Sequence, residues 1–66
     1  KMQRYILRTL RLRKQSQADL ARHMNISRQN LHFKMTSDRW TMQDLSLVAE
    51  FFGKELYTII IESGQK

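Results

Sequence analysis

The chain has 66 residues and carries twelve Lys or Arg against six Asp or Glu, a formal net charge of +6 at pH 7. The absence of cysteine excludes disulfides and thiolate zinc sites. A domain of this length buries only about 60% of the surface of its unfolded chain, so its stability is marginal. Association with a second copy of the chain is the best remaining source of stability. We expect one cytoplasmic domain over 1–66 with no secretory signal and no membrane span, because arginines interrupt the apolar runs near the N-terminus.

The positive charge is concentrated in one part of the chain. Residues 1–39 hold ten Lys or Arg and two acids, whereas residues 40–66 hold two Lys and four acids. A basic part beside a mildly acidic one is typical of a protein with a surface for a polyanion. The alternative is a solvated basic surface without a partner.

The N-terminal part of the chain predicts two helices. An apolar stripe predicts the first over 2–14, through Tyr5, Ile6, Leu7, Leu10 and Leu12. Ser16 and Asp19 have the spacing of a helix-capping pair and begin the second, over 17–24, whose apolar residues are Ala18, Leu20, Ala21 and Met24.

Two further helices follow. Ser27 caps a third over 28–35, with Leu31 and Met35 one turn apart and directed inward. Thr41 and Asp44 repeat the capping pattern before a fourth over 42–52, with the apolar stripe Met42, Leu45, Val48, Ala49 and Phe52. Gly53 stands where a left-handed C-terminal cap belongs.

The segment 56–61 is rich in β-branched and aromatic residues, which favours a strand over a fifth helix. A lone strand cannot satisfy its backbone, so we expect it to pair with the same strand of a second copy. The predicted dimerisation segment is 54–63, with contacts from Tyr57, Ile59, Ile60 and Ile61. In the alternative, a short fifth helix turns Leu56, Ile59 and Ile60 inward. The expected fold class is mainly all-α, with four to five helices.

Residues 17–35 carry the strongest motif, because only Asn25, Ile26 and Ser27 separate two short helices. The small Ala21 allows close approach of the next helix, and Asn tolerates the positive φ that such a turn often needs. This spacing predicts the near-perpendicular pair of a helix-turn-helix.

The chain resembles the phage repressor/Cro-type helix-turn-helix family over about residues 5–56. The matching positions are Ser16, Gln17, Leu20, Ala21, Ile26, Ser27 and Leu31, followed by the run Ala49-Glu50-Phe51-Phe52-Gly53-Lys54-Glu55-Leu56. The departures are Asn25 and Lys14 where the family often has glycine, Gln15 where it has a core Leu, and Lys34 beside the core residue Met35. The resemblance implies a repressor-like domain that binds double-stranded DNA as a dimeric transcriptional regulator.

With Leu31 directed inward, steps of 100° per residue turn a polar and aromatic face outward on the third helix. We predict base contacts in the major groove from Arg28, Gln29, Asn30, His32 and Phe33, since Gln and Asn can pair with adenine and an apolar ring can meet a thymine methyl. A rotated helix would instead place Phe33 in the core.

Phosphate contacts are predicted from Gln17, Arg11, Lys34 and Arg39, although solvated surface is an equal alternative for each cation. His23 and His32 stand alone, and no metal site, cofactor or catalytic constellation is expected, so an enzyme is disfavoured. The competing function is a protein-interaction module of the same fold, an anti-repressor or antitoxin that binds a partner protein through Phe33 and 59–61.

Overall fold

The structure is a computed structural model that describes residues 2–64. It contains the helices α1 (Met2–Leu12), α2 (Gln17–Met24), α3 (Arg28–Ser37), α4 (Met42–Phe52) and α5 (Leu56–Ser63). Over this range there is no strand, so the expectation of an all-helical domain is confirmed and the expected strand over 56–61 is wrong. None of the helices in the described range is long and apolar enough to cross a membrane.

Helix α5 forms because the core outweighs the local β-propensity. Ile59 is fully buried, and α5 packs against α1 and α4. The backbone groups of α5 are hydrogen-bonded within the helix, beginning with the Ile59 N–H, which donates to Glu55 C=O. Gly64 ends the helix as a left-handed cap. The helix therefore needs no partner strand, which removes the reason for strand pairing between copies at this segment.

The predicted dimer contacts on α5 lie on different sides of the helix. Ile59 is inside the core, so its prediction as a contact between copies is wrong, and Ile60 is half-buried against the same core. Tyr57 and Ile61, one turn apart, remain exposed. Near the end of α5, the Glu62 carboxylate accepts hydrogen bonds from Tyr5 Oη of α1 at 2.8 Å and from Lys54 Nζ at 2.9 Å, which ties α5 to α1.

Three serine and threonine caps set the helix starts. Ser16 and Thr41 each form a complete capping box, in which the hydroxyl accepts from the backbone N–H three residues later and an aspartate returns the bond. Ser27 Oγ accepts from Asn30 N–H at 3.0 Å. These caps explain why the predicted starts of α2, α3 and α4 are confirmed.

The helix ends depend on residues in the left-handed region. Asn25 (φ 61°) ends α2 and Gly53 (φ 67°) ends α4, both as predicted. Lys14 adopts φ 57°, so α1 ends at Leu12, two residues before the predicted boundary. Asp38 (φ 56°) ends α3 two residues beyond its predicted end.

The core draws on all five helices, and the inward positions of Leu31 and Met35 are confirmed. The predicted inward orientation is wrong for two residues of the apolar stripes, since Leu12 and Met42 are exposed. Leu12 is the last residue of α1 and Met42 the first of α4, so each lies at a helix terminus where no neighbouring element covers its side chain.

The helical nature of α5 leads to a stability prediction. Ile59→Ala should lower the free energy of unfolding by about 2–5 kcal/mol, since it empties a buried site. Ile61→Ala, the matched control, should change it by less than about 0.5 kcal/mol because Ile61 is exposed. Urea denaturation followed by circular dichroism measures both. In a strand the two side chains share a face, so equal losses would contradict the helix.

Candidate nucleic-acid interface

The turn between α2 and α3 is held by backbone hydrogen bonds. The Asn25 N–H donates to the carbonyls of Ala21 and Arg22, and the Ile26 N–H donates to Ala21 C=O at 3.0 Å. Ile26 then packs half-buried against the core beside the buried Ala21. Because both the backbone and one side chain of this three-residue turn are anchored, the direction in which α3 leaves α2 is fixed.

Two buried side chains set the rotation of α3 about its axis. Leu31 and Met35 lie one turn apart in the core, so the opposite side of the helix faces outward. All five predicted base-contact residues are exposed, with Arg28 on a flank at the helix start and the others toward the outer side: Gln29, Asn30, His32 and Phe33. Phe33 is 61% exposed, which excludes the alternative in which its ring belongs to the core.

The side chains of this outer face, together with the flanking Arg28, make up the predicted base-contact surface of α3. Within residues 2–64, none of its five side chains forms a hydrogen bond or ion pair. Gln29 and Phe33 are one turn apart, and Thr36 and Ser37 return their hydroxyls to carbonyls of His32 and Phe33. The face therefore offers free amide, guanidinium and imidazole groups around one apolar ring.

The start of α2 carries the predicted phosphate contact Gln17, the first residue of that helix. Ser16 Oγ satisfies the Asp19 N–H, and Asp19 Oδ2 accepts from the Ser16 N–H at 3.0 Å. The capping box does not provide acceptors for the backbone N–H groups of Gln17 and Ala18, which remain available as donors. Such donors at a helix start can bind an anion, although the Asp19 carboxylate adds a negative charge nearby.

Of the three predicted phosphate-binding cations, two are free and one is engaged. Arg11 at the end of α1 and Arg39 in the α3–α4 loop are exposed. Lys34 Nζ lies 3.0 Å from Asp44 Oδ2, with side chains only 20% and 14% exposed. Contact of Lys34 with a phosphate would require it to leave this ion pair, so its geometry favours a structural role at the junction of α3 and α4.

The Asp44 carboxylate joins two groups at that junction. It accepts from the Thr41 N–H and from Lys34, both at 3.0 Å. Partial burial opposes ionisation of the carboxyl, but these hydrogen bonds outweigh it and hold the pKa of Asp44 below its ordinary value. The charged form is therefore the one that fastens α3 to α4.

Sequence reasoning missed some residues that the structure makes prominent. The capping pattern indicated Asp44 as a cap, but nothing in the sequence paired it with Lys34, ten residues away. Arg4 and Arg8 lie exposed on α1 in line with Arg11, a spacing that is visible in the sequence. Within residues 2–64 there is no cluster of three His, Asp or Glu that could hold a metal ion, and His23 contacts Glu50 at 3.1 Å.

Comparison with family models, curated proteins and solved structures found no match to this chain. The resemblance to the phage repressor/Cro-type family therefore stays a prediction that rests on the residues quoted above.

The Asp44 ion pair leads to a prediction about acid sensitivity. A carboxyl whose pKa is lowered by folding adds stability above its unfolded pKa, and this stability is lost as the pH falls below about 4. Asp44→Asn should lower the free energy of unfolding at pH 7 by about 1–2 kcal/mol and reduce its further loss in acid. Denaturation at pH 7 and pH 3 measures both effects.

Glu55→Gln is the control for Asp44→Asn, because Glu55 is exposed and its side chain makes no capping bond. It should retain the stability of the parent chain at pH 7. Equal stability of the two variants at that pH would remove Asp44 from its role between α3 and α4.

Proposed function

We propose that this chain is a helix-turn-helix domain that binds double-stranded DNA in a sequence-specific manner, with α3 in the major groove. The observation that carries the proposal is the outer face of α3, where polar and aromatic side chains are exposed and unengaged. A single exposed ring is common on protein surfaces, so what points to a ligand is the position of Phe33 among unengaged amide and imidazole groups on one helix face.

The chemistry of that face suits base edges. Gln29 and Asn30 can each donate to and accept from adenine, and Arg28 can pair with guanine or with a phosphate. His32 supplies a further hydrogen-bonding group, and the Phe33 ring suits the methyl group of thymine. A-T pairs are therefore the expected centre of the recognised sequence.

Affinity would come mainly from phosphates. The excess of positive charge in residues 1–39 attracts a polyanion, and Gln17, Arg11 and Arg39 are the proposed backbone contacts on or beside the α2–α3 unit. Binding should weaken steeply as salt rises, since each phosphate contact releases condensed counterions.

A homodimer is the proposed active form. The exposed pair Tyr57 and Ile61 on α5 is an apolar surface that a second copy can cover, and a chain of this size gains stability from association. A two-fold dimer would place two α3 helices about 34 Å apart on a roughly palindromic site. Such a protein would act as a transcriptional regulator.

The second candidate is a protein-interaction module, an anti-repressor or antitoxin. The 61% exposure of Phe33 suits a protein partner as well as DNA. The charge of residues 1–39 favours DNA, because binding through an apolar surface does not need it. A gel shift with random duplex at low salt separates the two, since the absence of retardation would favour the protein partner.

Selection of bound duplexes from a random pool tests the whole proposal. Recovery of a common sequence supports recognition by α3, and two inverted half-sites about one helical turn apart support the dimer. A pool that stays random after repeated rounds would contradict sequence-specific binding.

Gln29→Ala gives a sharper prediction on the recovered site. It should weaken binding to that site by about 1–3 kcal/mol and leave binding to random duplex unchanged, since the amide reads a base and not the backbone. Gln43→Ala, an exposed Gln on α4, is the matched control and should change neither. Fluorescence anisotropy titration measures all four values, and an equal loss on both duplexes would remove Gln29 from base recognition.

Phe33 gives a prediction about the thymine methyl group. Replacing the thymines of the recovered site one at a time by uracil deletes that methyl, and at one position the parent chain should lose about 0.8 kcal/mol of binding free energy. Phe33→Ala should bind the thymine and uracil duplexes equally at that position. If the parent chain is insensitive to uracil at every position, the ring does not contact a methyl.

A further inference from the structure

Three arginines form a line on the outer side of α1. Arg4, Arg8 and Arg11 have the spacing of a single helix face, and all three are exposed. They lie opposite the buried side of α1, which consists of Met2, Tyr5, Ile6, Thr9 and Leu10. We call these three residues the arginine stripe.

Among residues 2–64, no acidic side chain forms an ion pair with the stripe, although Glu62 is close enough to Arg8 to interact with its charge. Helix α1 contains no Asp or Glu, and within residues 2–64 none of the three guanidinium groups donates a hydrogen bond. The acidic residue near Arg8 is Glu62, whose Oε1 already accepts from Tyr5 and Lys54. Like charges one turn apart repel each other along a helix, so the stripe is a cost to α1 unless an anion relieves it.

The shape of this surface suits a row of phosphates. A shallow groove of about 450 Å³ runs along it, lined by Gln3, Arg4, Leu7, Arg8 and Arg11. From Arg4 to Arg11 the stripe extends over seven residue steps, about 10 Å of helix. Each DNA strand carries a phosphate about every 3.4 Å along the duplex axis, so about three phosphates fall within that length. Guanidinium groups bind phosphate oxygens through paired donors.

We propose that the arginine stripe binds the phosphate backbone of a nucleic acid, as a contact surface additional to α3. Arg4 and Arg8 extend the contact predicted for Arg11 alone. The proposal shares its ligand class with the proposed function, but it does not depend on base recognition by α3. The phosphates belong either to flanking DNA of the duplex held by α3 or to a second duplex.

The test compares two triple variants with the same net charge. The stripe variant is Arg4→Gln, Arg8→Gln and Arg11→Gln, and the control variant is Arg13→Gln, Lys14→Gln and Arg22→Gln, three exposed cations outside the stripe. Affinity for a random duplex is measured by anisotropy from low to moderate salt. The slope of log affinity against log salt should fall in magnitude by about 0.9 for each lost phosphate contact in the stripe variant, and should stay near the parent value in the control.

A conservative variant guards against loss of folding. Arg4→Lys, Arg8→Lys and Arg11→Lys should recover most of the slope, since lysine also binds phosphate as a point charge. Thermal melting by circular dichroism compares the fold of all variants. If the stripe and control variants have equal slopes, the proposal is overturned.

Duplex length identifies the source of the phosphates. If the stripe contacts flanking DNA, the difference between parent and stripe variant is absent on a duplex of about one helical turn and present on one of about three turns. If it contacts a second duplex, the parent chain retains a free labelled duplex on an immobilised one, and the stripe variant does not.

The outcome also separates this proposal from the proposed function. A parent chain that recovers a common DNA sequence but shows no effect of the stripe variant overturns the stripe alone. A stripe effect on random duplex without any sequence preference supports the stripe and contradicts base recognition by α3. A parent chain that binds no duplex at any salt concentration overturns both.

Discussion

The burial of Leu31 and Met35 is the constraint on which the rest of the arrangement depends. These two side chains are the only part of α3 that lies in the described core, and they fix the angle at which the helix presents its other residues. The turn at Asn25 sets the direction of α3, and the pair of Lys34 with Asp44 holds it against the start of α4. A polar helix with little apolar surface is thus kept in one orientation by a few contacts on its inner side.

The internal pairing of acidic residues has a consequence for the electric field of the surface. Asp19 is held by Ser16 and Arg22, and Asp44 by Thr41 and Lys34. These carboxylates cap helix starts and join α3 to α4. The arginines of α1 and Arg28 at the start of α3 are exposed to solvent. The surplus of positive charge in the sequence therefore becomes a surface property, which is the condition for attracting a polyanion.

Much of the fold could be predicted because its signals are local. The starts of α2 and α4 follow from capping pairs three residues apart, and the outer face of α3 follows from the spacing of two apolar residues. The errors have non-local causes. The composition of the segment 56–61 predicts a strand, but burial of Ile59 against the other helices stabilises the helix α5 instead. The sequence predicts Lys34 as a surface cation, because nothing local indicates its partner Asp44 on another helix.

Lys14 shows that a helix can end at a residue whose backbone conformation is strained. Its left-handed conformation suits glycine, and a residue with a Cβ there carries strain of about 1 kcal/mol. Glycine would relieve the strain, but it would remove an ammonium group close to the end of α1 and loosen the unfolded chain. The strain of the folded turn and the greater freedom of an unfolded chain with glycine therefore have opposing effects on the free energy of unfolding at this one position.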